Sequence, residues 1–333
     1  MTFALRTIRL GERFDTTALG LGCADLFRVP SRAGRRRVLD AAYDAGIRHF
    51  DVAPMYGLGL AESDLGRFAR GKRERIVLAT KFGIDPAPVG RAIARLQAPI
   101  SRIVNWRSPN EGAASGGDPR SGSVGSLLYR SNDYSVGHAR TSLERSLRAL
   151  ETDHVDVLFI HDPPQASEVP DGIREYLESA RAAGRIRAWG VAGEPEPCVD
   201  VARRLGPSAV LQVRGDVFSR HGGIVPIEAG RPMILFGVVG RPLRRIRQHL
   251  SSDDVRRRWS NAIGMDCGNA DAIANLLLRD ALSANRRGAV LFSSTNPARI
   301  AAAAACAATA DDSAIGALRM LIAEELVDSG LRR

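Results

Sequence analysis

The chain has 333 residues, enough for two average domains or for one large α/β barrel. Its apolar share of 44% and charged share of 25% are those of a folded globular chain and exclude a largely disordered one. The formal net charge of +10 raises a polyanion partner as a first functional class.

That class fits the distribution of charge poorly. Of 47 basic residues only Lys72 and Lys81 are lysines, and the arginines run along almost the whole length instead of forming a groove-binding patch. No RRM, KH, zinc-finger or basic-zipper motif accompanies them, so no specific nucleic-acid partner is expected. Two denser clusters, Arg35 to Arg37 and the run from Arg241 to Arg258, read as solvated helix faces or loops. No apolar run approaches the roughly 18 residues of a membrane span. The start, MTFALRTIRLGERF, lacks the apolar core of a signal peptide, so a cytoplasmic protein is expected. Cys23, Cys198, Cys267 and Cys306 show no CxxC spacing and the six histidines no HExxH pair, which suggests free thiols and no metal site.

In chain order, residues 3–14 predict a pair of short strands. Residues 18–22 (ALGLG) predict the first strand of a regular series, followed by a helix over 31–45 with Val38, Ala41, Ala42 and Ala45 on one face. A second strand is predicted at 47–52, a helix at 60–70 and a third strand at 76–82 (IVLATKF). A helix at 138–150 keeps Leu143, Leu147 and Leu150 on one stripe and leads to a fourth strand, HVDVLFIH at 154–161. Helix 168–183, strand 186–192, helix 196–205 and strand 209–213 continue the alternation. Strand 232–239, a helix over 269–285 and strand 288–294 complete eight strands, and a last amphipathic helix is predicted at 313–328.

Eight apolar, β-branched strands, each followed by a helix, predict an α/β protein with a closed (β/α)8 TIM barrel, and a single domain over 1–333. The strand pair in 3–14 would close the barrel bottom. Two stretches break the rhythm, 83–137 and 240–268, the first rich in Gly and Ser over 111–126 and the second in arginine. Both would emerge at the C-terminal mouth, as a lid over a ligand or as disordered surface loops.

Chemistry in such barrels sits at the C-terminal strand ends. Strand two ends in FDVAPMYG, strand three in LATKFG and strand four in LFIHDP, which puts Asp51, Tyr56, Lys81 and His161 at one end of three neighbouring strands. A phenol with a pKa near 10 is a poor acid or base at neutrality, and an adjacent ammonium would lower it. Lys81 would supply that charge, Asp51 its counter-ion, and His161 a hydrogen bond to a substrate oxygen. A lysine at this position is notable where arginine fills nearly every other basic place, because a compact ammonium and a guanidinium are not interchangeable beside a phenol.

These segments, HFDVAPMYG, ESDLGRFAR, VLATKFG, HVDVLFIHDP and GRIRAWGV, resemble the aldo-keto reductase superfamily over about residues 18 to 306. DYSVGHARTSLERSLRAL followed by IHDPP is similar to its branch of fucose- and galactose-type sugar dehydrogenases. The resemblance implies a catalytic tetrad of Asp51, Tyr56, Lys81 and His161. It also implies reversible hydride transfer between a nicotinamide and a small carbonyl or sugar-like substrate, with Tyr56 as general acid and base. NADPH is the implied cofactor and NADH the alternative. Gly22 and Cys23 would lie beside the nicotinamide, Gln212 would contact its carboxamide and Phe236 would stack on its ring. Ser294 and Arg299, in SSTNPARI, match adenosine-phosphate positions.

The pattern departs from the family in two places. Ala192-Gly193 stand where relatives carry a Ser-Asn pair that holds the carboxamide, and Ser293 stands where many carry a lysine. The arginines of 241–258 would then be recruited to the pyrophosphate, and Cys23-Ala24 and Trp106 are the candidate substrate-wall residues. A barrel that keeps its tetrad but turns over weakly or not at all, as a redox-silent catalyst or cofactor-sensing partner protein, stays open as the alternative. Substrate identity and oligomeric state are open too.

Overall fold

The structure is a computed structural model and describes residues 2–10, 14–87, 132–221, 233–309 and 313–327. An antiparallel pair, β1 (Thr7–Leu10) and β2 (Phe14–Thr17), precedes eight parallel strands. These are β3 (Leu19–Gly22), β4 (His49–Asp51), β5 (Val77–Phe82), β6 (Val155–His161), β7 (Ile186–Gly193), β8 (Val210–Arg214), β9 (Met233–Phe236) and β10 (Ala289–Phe292). They close in chain order, β10 pairing back onto β3 through Val290–Leu19 and Leu291–Gly20, so the predicted TIM barrel forms. The surrounding helices are α1 (Arg32–Asp44), α2 (Leu60–Ala69), α3 (Val136–Leu150), α4 (Ile173–Ala182), α5 (Pro195–Leu205) and α6 (Val217–His221). They continue with α7 (Gly240–His249), α8 (Asp253–Ile263), α9 (Ala270–Ala284), α10 (Pro297–Ala307) and α11 (Ser313–Ile322).

Strands covered on both faces bury every residue, and β5 and β6 do so along their whole length. Alternation sorts their side chains. Leu158 and Ile160 of β6 pack outward with the helices, whereas Val157 and Phe159 point inward beside Val77, Ala79, Ala188, Val210, Ile234 and Ala289. Ile8, Leu10 and Phe14 of the hairpin join that inner cluster, so β1 and β2 plug the end of the barrel where the strands begin. With the lower layers filled by apolar side chains, the next inward positions along β4, β5, β6 and β8 are Asp51, Lys81, His161 and Gln212. All four are buried.

Several expected boundaries shift for local reasons. The second hairpin strand reaches Thr17, beyond the predicted end at 14. In α1 the buried face is Val38, Leu39 and Ala42, and Ala41 is only partly covered. The fourth helix begins at Ile173, not 168, because Pro170 and Gly172 interrupt the chain after a short turn at Ala166–Glu168. Strand β9 stops at Phe236, since Gly237 takes a left-handed φ of 71° and the chain enters α7 three residues later. Within 83–137, residues 88–131 lie outside the described part.

The stretch 240–268 is neither a lid loop nor disordered: it forms α7 and α8. Ile246, Leu250, Trp259 and Ile263 from these helices pack with Ile315, Leu318, Leu321 and Ile322 of α11 in a separate hydrophobic cluster. Its arginines are largely engaged locally: Arg256 with Asp253, Arg257 with Asp254, Arg258 with Glu325, and Arg245 with the Leu326 carbonyl. Arg35 likewise is no solvated residue of a basic face. It is buried, pairs with Asp64 and donates to the Val29 and Pro30 carbonyls, while Arg36 stays exposed against Asp40.

Trp259 is fully buried and its indole N–H donates to Glu325 at 3.1 Å, so it joins α8 to the segment after α11. Trp259→Ala is expected to cost about 3–5 kcal/mol in denaturant unfolding, as large-to-small changes in packed cores do. A loss below about 1 kcal/mol would show that this cluster does not hold the three helices together.

Candidate active site

The four strand-end residues predicted to act together line one cleft at the C-terminal mouth. Lys81, at the inward end of β5, donates from Nζ to Asp51 Oδ1 at 2.6 Å and to the Val52 carbonyl at 3.0 Å. Both partners of the pair are almost wholly buried, which makes the geometry consequential: either charge alone in this position would be strongly destabilising. The Lys81 ammonium lies 5.1 Å from the Tyr56 ring centroid. The His161 ring stands edge-on to Tyr56, with centroids 6.1 Å apart and planes at 86°.

Tyr56 is carried by a turn, not by a strand. Its N–H closes onto the Ala53 carbonyl at 3.0 Å, and the next two residues, Gly57 and Leu58, both hold left-handed φ values of 56° and 58°. Glycine takes that conformation freely; Leu58 does so at a cost, offset by its complete burial. The turn then delivers the chain into α2. On the other side Tyr134 donates its hydroxyl to the carbonyls of His161 and Asp162, at 3.0 and 2.8 Å, and so fixes the backbone that presents the imidazole.

The electrostatics correct one expectation. Tyr56 is not poised as a phenolate by Lys81: its phenol is pushed well above its ordinary pKa of 10, first by burial and then by the carboxylates of Asp51 and Asp162. The ammonium is already neutralised by Asp51, so little of its field is left for the phenol. Tyr56 therefore rests as a proton donor. Cys23 is also held as the neutral thiol, raised chiefly by burial. His49, beneath Asp51 on β4, is lowered by burial to about 4 and is neutral, with Nδ1 3.3 Å from the Thr16 hydroxyl.

Of the predicted cofactor residues, Gly22, Gln212 and Phe236 line the same cleft. Cys23 is buried next to it and outside its lining. Ser294 and Arg299 are also outside the lining. The Ser294 hydroxyl accepts from the Asn296 N–H at 3.1 Å, and Arg299, on the first turn of α10, pairs with Asp271 at 3.3 Å with both side chains exposed. None of the arginines of 241–258 lines the cleft. Of the two candidate wall segments, Ala24 is in the lining and Trp106 falls outside the described residues. Gln212 carries a fit test for a ligand amide: its Oε1 is buried and meets no donor among the described residues. Ala192 and Gly193 border it and present no polar side chain.

Five further residues belong to the site. Asp162 and Glu194 directly follow the ends of β6 and β7, and Ser293 follows β10, its hydroxyl 2.5 Å from where a Cβ on Gly22 would stand. Arg214 ends β8 two residues beyond Gln212, so strand alternation alone places it on the same inner face. Tyr134 carried no alternation signal, since it precedes a helix, although it lies at the start of the segment DYSVGHARTSLERSLRAL.

The family model described as the Aldo/keto reductase family matches residues 18–222, which include six of the eight barrel strands. The D-threo-aldose 1-dehydrogenase of Pseudomonas sp is 32% identical over 211 residues, covering 60% of this chain and 56% of that protein. The pyridoxal 4-dehydrogenase of Microbacterium luteolum is 34% identical over 191 residues, covering 53% and 51%. The chain thus spans about half the length of these relatives. Among solved structures, a glycerol dehydrogenase from Gluconobacter oxydans superposes with a TM-score of 0.67 at 18% identity, over 96% of each chain. An aldo-keto reductase from Klebsiella pneumoniae in complex with NADPH superposes at 0.62 and 22% identity, over 96% of this chain and 94% of that one. The chain belongs to the aldo/keto reductase family.

Proposed function

We propose that this protein is an NADP(H)-dependent oxidoreductase that interconverts a small carbonyl compound and its alcohol, sugar-like molecules included, with Tyr56 as general acid and base. The observation that carries the reading is the buried Lys81–Asp51 pair beside Tyr56, with His161 edge-on to it in one cleft. The named activities of the aldose and pyridoxal dehydrogenases, and the NADPH held by the Klebsiella relative, favour it as well.

A bound reduced nicotinamide would supply a hydride to the carbonyl carbon and, once oxidised, would take one back from the alcohol. Around that transfer the chain handles the proton. Tyr56 donates its phenolic proton to the carbonyl oxygen as negative charge develops there, and recovers one from the alcohol in the reverse direction. His161 donates a hydrogen bond to the same oxygen and fixes which face of the carbonyl is presented. The phenolate left behind forms beside the Lys81 ammonium, whose charge favours it, and the resting site gains no net charge from Lys81 because Asp51 balances it. Gln212 Oε1 would accept from the nicotinamide carboxamide, and Phe236 would offer the ring its apolar face. Arg299 would serve a 2′-phosphate only by exchanging Asp271 for it.

The backbone-only surface of Ala192 and Gly193 favours one second reading, a barrel with weak or no redox turnover. Titration with NADPH separates the two. Binding in the micromolar range is expected, weakened about 5- to 10-fold in Gln212→Ala by loss of one buried hydrogen bond. No binding of NADPH or NADH would overturn the reductase.

Tyr56→Phe is expected to lower carbonyl reduction by about 100-fold or more, with NADPH still bound, because only the proton donor is removed. Turnover of Tyr56→Phe within about threefold of wild type would assign the proton to another group.

A further inference from the structure

Among the described residues of the cleft wall, Arg214 is the cation that the proposed reaction leaves without a task. Its backbone ends β8, its side chain is turned inward, and the residue is 8% exposed. Nε donates to Glu194 Oε1 at 2.9 Å, and the guanidinium lies over the Phe236 ring at 5.2 Å from its centroid. Nη1 is buried and meets no acceptor among the described residues. Room for it is made by Gly237, whose φ is 71°: a Cβ there would stand 2.7 Å from Nη1.

A buried guanidinium donor without an acceptor forfeits its hydration and gains nothing in return. The other lining cation, Lys81, is fully matched by the equally buried Asp51. Arg214 is not matched in the same way. Glu194 engages only Nε, and its side chain is 59% exposed, so water screens it; Asp162, on the rim near His161, is 48% exposed and screened likewise. The positive charge of Arg214 acts from a dry wall of the cleft shared by Tyr56 and His161. A carboxylate is the group that satisfies both needs, since it accepts a short charge-assisted bond and neutralises the charge.

We propose that Arg214 is a specificity-determining residue that binds a carboxylate on the carbonyl substrate, so that oxo-acids are preferred over neutral carbonyls of the same shape. The proposal rests on the oxidoreductase reading for its catalytic consequence, but the binding site itself does not.

The test compares 4-carboxybenzaldehyde with 4-carbamoylbenzaldehyde as NADPH-dependent substrates, and benzoate with benzamide as ligands of the cofactor-free protein by ligand-observed NMR. Each is run on wild type, Arg214→Lys and Arg214→Gln. Wild type is expected to favour the carboxylate about tenfold or more in kcat/KM and in binding, a preference partly kept by Arg214→Lys and reduced to near unity in Arg214→Gln. Equal handling of the two partners by wild type would overturn the proposal even if a variant fails to fold, and so would a preference that survives Arg214→Gln. A fall in NADPH affinity in Arg214→Gln as large as the fall in carboxylate preference would assign the donor to the cofactor's phosphates and overturn it too. If neither aldehyde is reduced, the oxidoreductase reading fails separately. The benzoate arm then decides on Arg214 alone, binding lost in Arg214→Gln supporting the site and unselective binding overturning it.

Discussion

The ion pair between Lys81 and Asp51 constrains everything above it in the barrel. Both groups are buried to within a few per cent, and removal of either would leave a charge stranded at a cost of about 3–5 kcal/mol. Holding them takes three consecutive strand ends. Asp51 closes β4 and Cys23, after β3, bonds to its carbonyl at 2.8 Å, while Val52 both accepts from Lys81 and donates to Ala79 of β5 at 2.9 Å. The pair is neutral as a whole. His49 below it is neutral too, so the centre of the barrel keeps a polar layer without net charge directly over an apolar one.

That arrangement explains why the site is where it is. The inner positions of the lower strands are Val, Ala, Phe and Ile, sealed by Ile8, Leu10 and Phe14 from the hairpin, and no ligand can enter from that side. Apart from His49 beneath Asp51, polar side chains start only one layer up, where the strands open toward solvent. Tyr56 reaches over this layer from a strained turn, and Tyr134 ties down the chain behind His161. The reacting groups thus stand on strand ends and short, bonded loops, the rigid placement that positioning a carbonyl requires.

Much of this was legible in the residues because strand alternation and buried charge leave strong marks. Eight apolar runs gave the barrel, and the isolated Lys81 among so many arginines marked a place where only an ammonium serves. What alternation could have added was Arg214, two residues beyond Gln212. The opposite failure came from composition. The arginine-rich stretch 240–268 read as a loop because its apolar residues are sparse, yet Ile246, Leu250, Trp259 and Ile263 suffice once α11, distant in sequence, covers them. The state of Tyr56 was out of reach for a different reason. The motif names Asp51 as the counter-ion of Lys81; it does not show how deeply the phenol is buried, or that the carboxylates of Asp51 and Asp162 act on it as well.

The central claim is that the resting site holds Tyr56 protonated, ready to give its proton to a reduced carbonyl. A titration of 13Cζ-tyrosine-labelled protein by NMR tests it directly, the Tyr56 signal being identified among the five tyrosines by its loss in Tyr56→Phe. Burial disfavours the charged form of a phenol, so its pKa rises and the neutral form persists to higher pH. The account predicts that this signal keeps its phenol shift up to at least pH 10, the ordinary midpoint of tyrosine. A phenolate transition near neutral pH would contradict it and restore Lys81 as the group that ionises the tyrosine.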